Sequence, residues 1–129
     1  MNPYTAARLA YTEASVMTAT PERLVVMLYD GAIRFLHQAA AAMREGQLKL
    51  SRDRLHRAQA VIDELYRSVD VRQGEVAYGL RSIYSFCRRH LIDATANTDP
   101  SGYDTVAGLL TELRESWEQI ERQSQRQSA

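Results

Sequence analysis

The sequence has few of the features that mark secreted, disulfide-stabilised or membrane-embedded proteins. Its 129 residues include one cysteine, Cys87, which excludes an intrachain disulfide, and three prolines, at positions 3, 21 and 100. Its longest apolar runs are far shorter than the roughly 20 residues that cross a bilayer. The first residues lack the basic and apolar stretches of a signal peptide. We therefore expect a cytoplasmic protein that does not insert into membranes.

The sequence also has no net charge and few signals for β-structure. Sixteen basic and sixteen acidic residues cancel, so no overall field directs the chain to nucleic acid or anionic lipid. Alternating strand patterns are absent, and the one Asp-Gly pair, Asp30-Gly31, lies inside a helical pattern. These absences predict an all-α protein that does not bind nucleic acid.

Helical periodicity covers most of the chain. Four long segments with short connections predict an antiparallel up-down four-helix bundle within a single domain, residues 1–129. We expect these segments to run from Pro21 to about Gly46, from Lys49 to Asp70, from Gly74 to Ala96, and from Pro100 to about residue 122. Residues 1–16 would form a short helical extension or lid, residues 17–122 the bundle, and residues 123–129 a frayed tail.

The first of the four segments has the strongest start signal and the widest apolar surface. Thr20 suits the N-cap, Pro21 the first turn, and Glu22 the positive end of the helix dipole. Its apolar residues cover roughly half the helix circumference, against an arc of roughly 120° in the last segment. One flank contains Leu24, Leu28, Phe35 and Ala39, and the other contains Val25, Tyr29, Ile33, Leu36 and Ala40.

Two interpretations of this wide surface remain open from the residues. The segment could be the most buried helix of the bundle, packed against two neighbours. Alternatively, its second flank could form a groove for an amphipathic partner segment, which the aromatic N-terminal extension would cover when no partner is bound. Tyr78 and Ile92 fall outside the apolar stripe of their own segment, and they would extend such a binding surface.

No pattern of catalytic or metal-binding residues stands out. Di-metal bundles use paired Glu-x-x-His motifs, whereas this chain has a single Asp53-x-x-His56. Cys87 occupies a core position, where an inert thiol is expected. The mid-helix glycines 31, 79 and 108 are expected to permit close helix packing rather than to bind a ligand. The sequence therefore predicts no enzyme, no metal and no cofactor.

Several short motifs, taken in order, resemble the FliS family of flagellar export chaperones over nearly the whole chain. The most specific part comprises Asn2-Pro3-Tyr4, Tyr11, Val16, Thr18-Ala19-Thr20-Pro21, Leu24 and Met27-Leu28-Tyr29-Asp30-Gly31-Ala32. Further matches are Gly74-Glu75-Val76-Ala77, Leu80, Tyr84, Arg89, Leu91, Ala94, Asp99-Pro100, Val106, Leu109-Leu110, Glu112-Leu113-Arg114 and Trp117. The chain departs from the family at Gln73, where a glycine is usual, and at Gly79, where an asparagine is usual.

The resemblance implies a helical bundle that binds the disordered C-terminal region of flagellin. Masking that region would prevent premature polymerisation and keep flagellin competent for flagellar type III secretion. Release would follow when components of the export apparatus compete for the client. The residues that we expect to contact the client, or to cover its site, are Tyr4, Leu9, Tyr11, Val25, Tyr29, Ile33 and Leu36.

Other hypotheses stay open beside this one. The runner-up is a non-catalytic regulatory adaptor that binds a different amphipathic partner, and a third is a carboxylate-metal oxidoreductase. The exposed apolar groove would also suit a homodimer.

Overall fold

The computed structural model describes residues 16–128, which contain four long α-helices. These are α1 (Pro21–Arg44), α2 (Leu48–Ser68), α3 (Glu75–Ala96) and α4 (Pro100–Ser128), with a 3₁₀ turn at Val71–Gln73 between α2 and α3. No strand occurs among these residues. The predicted all-α four-helix bundle is confirmed.

The helices begin and end where local chemistry favours it. The Thr20 hydroxyl accepts a hydrogen bond from the amide of Arg23 at 3.1 Å, and Pro21 occupies the first turn of α1. Gly46 follows α1 with φ +75°, and Gly74 precedes α3 with φ +98°. Both values lie in the region that glycine adopts without steric cost, so these two positions fix the turns around α2 and α3.

Helix α1 lies at the centre of the bundle. It packs extensively against both α2 and α4, whereas α3 contacts α2 and α4 much less extensively. Twelve of the 24 residues of α1 are buried, compared with five of the 22 residues of α3. Cys87 is buried as predicted, and Met27 and Leu28 of α1 are buried as well. The wide apolar surface of α1 is therefore used mainly for packing.

A row of polar contacts runs along the seam between α1 and α4. The α1 members recur every seven residues, which places them on one line of the helix: Arg23, Asp30, His37 and Arg44. Their α4 partners follow in reverse order, since Arg23 pairs with Glu121 at 3.6 Å, Asp30 with Arg114, and Arg44 with Asp104 at 2.6 Å. This order shows that α1 and α4 are antiparallel.

Helix α3 is attached to α2 by contacts nearer the surface. Arg81 Nη2 donates to the Tyr66 hydroxyl at 2.8 Å, and the guanidinium carbons of Arg81 and Arg88 lie 4.5 and 4.9 Å from the Tyr66 ring centroid. Arg88 also pairs with Asp63 at 3.0 Å. The hydrogen bond from Arg81 lowers the pKa of Tyr66, because it stabilises the phenolate form.

The last turns of α3 pack tightly against the start of α4. A Cβ placed on Gly102 would lie 2.4 Å from Cβ of Ala94, which is closer than real atoms approach. In contrast, a Cβ on Gly79 or Gly108 would meet no neighbouring atom within 4 Å. The expectation that Gly79 and Gly108 permit close packing was therefore wrong, and Gly102, which the sequence did not single out, has that role.

The end of α4 also differs from the expectation. The helix continues to Ser128, through residues that the sequence assigned to a frayed tail after position 122. Charged and amide side chains dominate this stretch, and such residues have good helix propensity once a helix is under way. Their polarity was therefore a poor guide to where the helix ends.

Candidate functional site

The α1 residues that are predicted from the sequence to bind a partner fall into two groups. Tyr29 and Leu36 have 0% exposed surface, while Val25 and Ile33 are half-buried. The opposite flank, Leu24, Leu28, Phe35 and Ala39, is buried as well. The remaining nominated residues, Tyr4, Leu9 and Tyr11, lie outside the described part of the chain.

Val25, one of the residues predicted to contact a partner, lines an open groove, which we call the Trp117 groove. It lies beside the first half of α3, has a volume of about 390 Å³, and is mainly apolar. Its lining residues come from all four helices and the α2–α3 connection: Val25, Leu65, Ser68, Val69, Asp70, Val76, Ala77, Leu80, Tyr84 and Trp117. A volume of a few hundred Å³ is in the range of protein ligand pockets.

Local structure explains why this groove is open. The 3₁₀ turn at 71–73 and the positive φ of Gly74 reverse the chain before α3. Val76, in the first turn of α3, is consequently 78% exposed although it borders the groove. On the opposite side of the groove, Trp117 is half-buried, whereas the start of α4 packs tightly against the end of α3 at Gly102.

A buried pair of tyrosines lies beneath the Trp117 groove. The hydroxyls of Tyr29 on α1 and Tyr84 on α3 are hydrogen-bonded to each other, and their ring centroids lie 6.4 Å apart. Burial raises the pKa of both tyrosines, because an apolar environment disfavours the charged phenolate. Both side chains are therefore neutral at physiological pH.

A second groove, which we call the Phe86 groove, separates α3 from α4 on the next face of the bundle. It has a volume of about 400 Å³, and it is lined by Ile83, Phe86, Leu109, Glu112, Leu113 and Ser116. Phe86 is 42% exposed, and its ring stacks on His90 at a centroid distance of 5.3 Å. The two grooves flank α3, so the face of α3 towards α4 is only partly covered.

Further apolar side chains on α3 are exposed. Tyr78 and Ile92 are each 61% exposed, as their positions outside the apolar stripe predicted. Isolated exposed hydrophobic residues are normal in soluble proteins. Here, however, they share one helix with two apolar grooves, and α3 carries four of the eight exposed large hydrophobic side chains of the described residues.

Sequence reasoning missed most of the groove-lining residues. Leu80 and Trp117 lie in regular apolar stripes, which predict burial, and no periodicity shows that a stripe will be left half-covered. The weak signal was the Gly74 turn beside the apolar residues Val69 and Val76. At this turn the chain reverses direction, which separates the apolar end of α2 from the apolar start of α3.

The described residues form no constellation suited to catalysis. Burial raises the pKa of the Cys87 thiol to about 11, which leaves little reactive thiolate at neutral pH. Within residues 16–128, no group of three or more His, Cys, Asp or Glu side chains is placed to hold a metal ion. In the same range, no helix combines the length and apolar character needed to span a bilayer. The chemistry that the grooves offer is the binding of apolar side chains.

Comparison with known proteins agrees with the motifs along the chain. The family model described as "Flagellar protein FliS" matches residues 3–124. The flagellar secretion chaperone FliS of Bacillus subtilis is 34% identical over 118 residues, covering 92% of this chain and 85% of that protein. Those of Salmonella typhimurium and Vibrio cholerae are 34% and 32% identical, covering 84% and 86% of this chain and 82% and 85% of their own lengths.

Proposed function

The chain belongs to the FliS family of flagellar secretion chaperones, and on that basis we propose that it binds the C-terminal region of flagellin in the cytoplasm. Binding would prevent premature polymerisation and keep flagellin competent for type III secretion. The observation that carries this proposal is the pair of apolar grooves on either side of α3. A binding role of this kind requires neither catalysis nor a cofactor.

The shape of the grooves suits a disordered client that folds on binding. Such a segment can spread over a large surface, although its ordering offsets part of the binding free energy. Amphipathic helices of the client would place their apolar faces in the Trp117 and Phe86 grooves. Tyr78 and Ile92 would extend the contact over the exposed surface of α3 between the two grooves. Release would follow when components of the export apparatus compete for the client.

Residues 1–15 are proposed to cover this surface, or to contact the client, through Tyr4, Leu9 and Tyr11. Val16 is fully buried in the core, so a truncation that tests this role should retain it. We expect the chain from Val16 onwards to remain folded and its affinity for flagellin to change. Loss of cooperative unfolding would instead assign residues 1–15 to the core.

Co-purification with the C-terminal segment of flagellin is the direct test of the proposed function. We expect a complex at micromolar concentrations, and no complex at those concentrations would contradict the proposal. A different bound helical protein would then favour the regulatory adaptor. Self-association through the same grooves would compete with the client, and would appear as a concentration-dependent mass when flagellin is absent.

A matched pair of substitutions on α3 tests the location of the site. Val76→Asp places a charge in the rim of the Trp117 groove, at the first turn of a helix where an acidic residue is favourable. Ser82→Asp introduces the same charge at an exposed position that lines neither groove. We expect Val76→Asp to weaken flagellin binding by about tenfold or more, because the aspartate must be desolvated, and Ser82→Asp to have little effect.

A further inference from the structure

Among the described residues that line the Phe86 groove, one is charged, and that residue is Glu112. The other lining residues are apolar, apart from Ser116. Glu112 is exposed, and none of the ion pairs among residues 16–128 includes it. The groove therefore has an accessible negative charge at the edge of its apolar surface.

Glu112 differs in this respect from the carboxylates that α4 presents at the α1–α4 seam. There, Asp104, Glu118 and Glu121 each pair with an arginine of the bundle. Their charges are used within the protein, whereas the charge of Glu112 is left for solvent or for a partner.

The residues around Glu112 do not supply a cation. The positions three and four residues away on α4, which are its neighbours on the helix surface, are Gly108, Leu109, Glu115 and Ser116. On α3, the guanidinium groups of Arg81 and Arg88 lie over the Tyr66 ring of α2. Both arginines are therefore engaged on the side of α3 that faces α2.

The end of the groove beyond Phe86 has charged residues of both signs. Arg89 and Asp93 are exposed on α3, and the His90 ring stacks on Phe86. None of these three residues lines the groove. Arg89 and Asp93 offset each other in charge, so Glu112 determines the sign of the charge along the α4 edge of the groove.

We propose that the Phe86 groove binds an amphipathic helix of the client that carries an arginine or lysine beside its apolar face, and that Glu112 pairs with this cation. This inference rests on the proposed flagellin-binding function and specifies the chemistry of the segment that occupies one groove. The apolar face of the segment would pack on Phe86, Leu109 and Leu113. The long stem of an arginine or lysine can lie along such side chains while its charge stays at the exposed edge.

The position of Glu112 makes the two edges of the groove unequal. The α3 edge consists of Ile83 and Phe86, whereas the α4 edge includes the carboxylate. A helix with a cation on one flank is therefore favoured in one orientation, and a helix with an acidic residue there is disfavoured because like charges repel. Complementary charges of this kind contribute to specificity and association rate more than to affinity.

Charge reversal at two nearby positions of α4 tests the contact. Glu112→Lys removes the proposed partner and repels the client cation. Glu115→Lys makes the same change in total charge at an exposed position that lines neither groove, so it is the matched control. By calorimetric titration with the flagellin C-terminal segment at about 0.1 M salt, we expect Glu112→Lys to bind about fivefold more weakly than the control. At about 1 M salt, where the Debye length is about 3 Å, the two variants should bind alike.

A charge swap identifies the client residue. Each arginine or lysine of the flagellin segment is replaced in turn by glutamate and titrated with the parent protein and with Glu112→Lys. We expect one replacement to weaken binding to the parent protein and to restore binding to Glu112→Lys, because coupled residues show non-additive effects. Failure of every replacement to restore binding would contradict the proposed pair.

Each other result has a definite meaning. If the parent protein binds flagellin and Glu112→Lys binds as tightly as Glu115→Lys, the inference is wrong and the proposed function stands. A difference that persists at high salt would reflect packing rather than charge, and would also overturn the inference. If the parent protein does not bind, the proposed function itself fails, and this inference fails with it.

Thermal unfolding of each free variant monitors the fold. If Glu112→Lys does not fold, Glu112→Gln takes its place, because it removes the charge and keeps the size of the side chain. We expect Glu112→Gln to weaken binding about twofold relative to Glu115→Gln at about 0.1 M salt. Equal affinity of these two variants would contradict the inference.

Discussion

Helices α1 and α3 are nearly equal in length and both are amphipathic, yet the bundle uses them differently. In α1, 12 of 24 residues are buried, and α2 and α4 pack against most of both flanks, with Val25 left at the Trp117 groove. In α3, five of 22 residues are buried, the Trp117 groove opens beside its first half and the Phe86 groove beside its middle, and Val76, Tyr78 and Ile92 are exposed. The helix with the more apolar sequence is therefore the scaffold, and the less apolar one borders the candidate binding surface.

This difference shows that apolar content alone does not identify a binding surface. A wide apolar arc is satisfied when two neighbours pack against it, as α2 and α4 do against α1. Helix α3 is left partly uncovered because its neighbours pack against fewer of its residues, although its end packs tightly against α4 near Gly102. Elements with few buried apolar contacts also open at lower free energy than the core, so we expect α3 to adapt most readily to a partner.

The largest expected difference between the two helices is in the cost of removing a side chain. Leu36→Ala in α1 should destabilise the protein by about 2–5 kcal/mol, because Leu36 is fully buried and a cavity would remain. Ile92→Ala in α3 should change the unfolding free energy by less than about 0.5 kcal/mol, since Ile92 is 61% exposed. Urea denaturation of both variants measures these changes, and similar losses would refute the contrast.

Much of this architecture could be predicted from residues that act locally. Thr20 with Pro21, Gly46, Gly74 and Asp99 with Pro100 mark helix boundaries because caps and turns depend on side chains within a few positions. The apolar stripes then predict which residues face the core. The end of α4 could not be predicted, because polar residues are common both in exposed helical turns and in frayed chain ends.

The candidate site was harder to predict because it depends on how neighbouring helices share apolar surface. Tyr29 and Leu36 have the same periodicity whether they face a partner or the bundle, and the structure places both inside the bundle. Trp117 lies in a stripe that predicts burial, but it is half-buried where α4 and α3 diverge.

Removing an ion pair should also cost more unfolding free energy at α1 than at α3, although both costs are smaller than that of removing a core side chain. Arg114 bonds to Asp30 and pairs with Glu118 at 2.9 Å, and its side chain is 25% exposed at the α1–α4 seam. Arg114→Ala should cost about 1.5–3 kcal/mol, because charge-assisted hydrogen bonds are lost at a partly buried site. Arg88 and Asp63, between α2 and α3, are 45% and 42% exposed, so Arg88→Ala should cost about 0–1 kcal/mol.

Chemical denaturation of the Arg114→Ala and Arg88→Ala variants at low and high salt measures these changes in unfolding free energy. The Arg88 variant should differ from the parent protein less as salt rises, because exposed pairs are screened. A cost for Arg88→Ala equal to that for Arg114→Ala would mean that α3 is held as firmly as α1. That result would remove the basis for calling α3 the adaptable helix.

Alanine substitutions at two glycines compare the two ends of α3, because Gly102 of α4 lies against the end of α3 and Gly79 lies in its first half. Gly102→Ala should destabilise the protein by about 1–3 kcal/mol, because its Cβ would collide with Ala94 at the end of α3. Gly79→Ala, in the open first half of α3, should stabilise it by about 0.4–1 kcal/mol, because no atom lies within 4 Å of the new Cβ. Opposite signs in thermal unfolding are expected, and a loss of stability at both positions would show that the first half of α3 is tightly packed.

The smallest expected effect concerns pH at the junction that anchors α3 to α4. The Ser101 hydroxyl and amide donate to Asp99 and lower its pKa, so its ionised form is favoured in the folded state. This contribution is present above the ordinary aspartate pKa of about 3.9 and is lost as pH falls through the lower folded value. Asp99→Asn should remove that part of the acid dependence, while Thr20→Ser at the start of α1, which replaces one uncharged cap by another, should leave it unchanged. Thermal unfolding between neutral and acidic pH tests this, and an unaltered acid dependence in the Asp99 variant would mean that acid acts through other carboxylates.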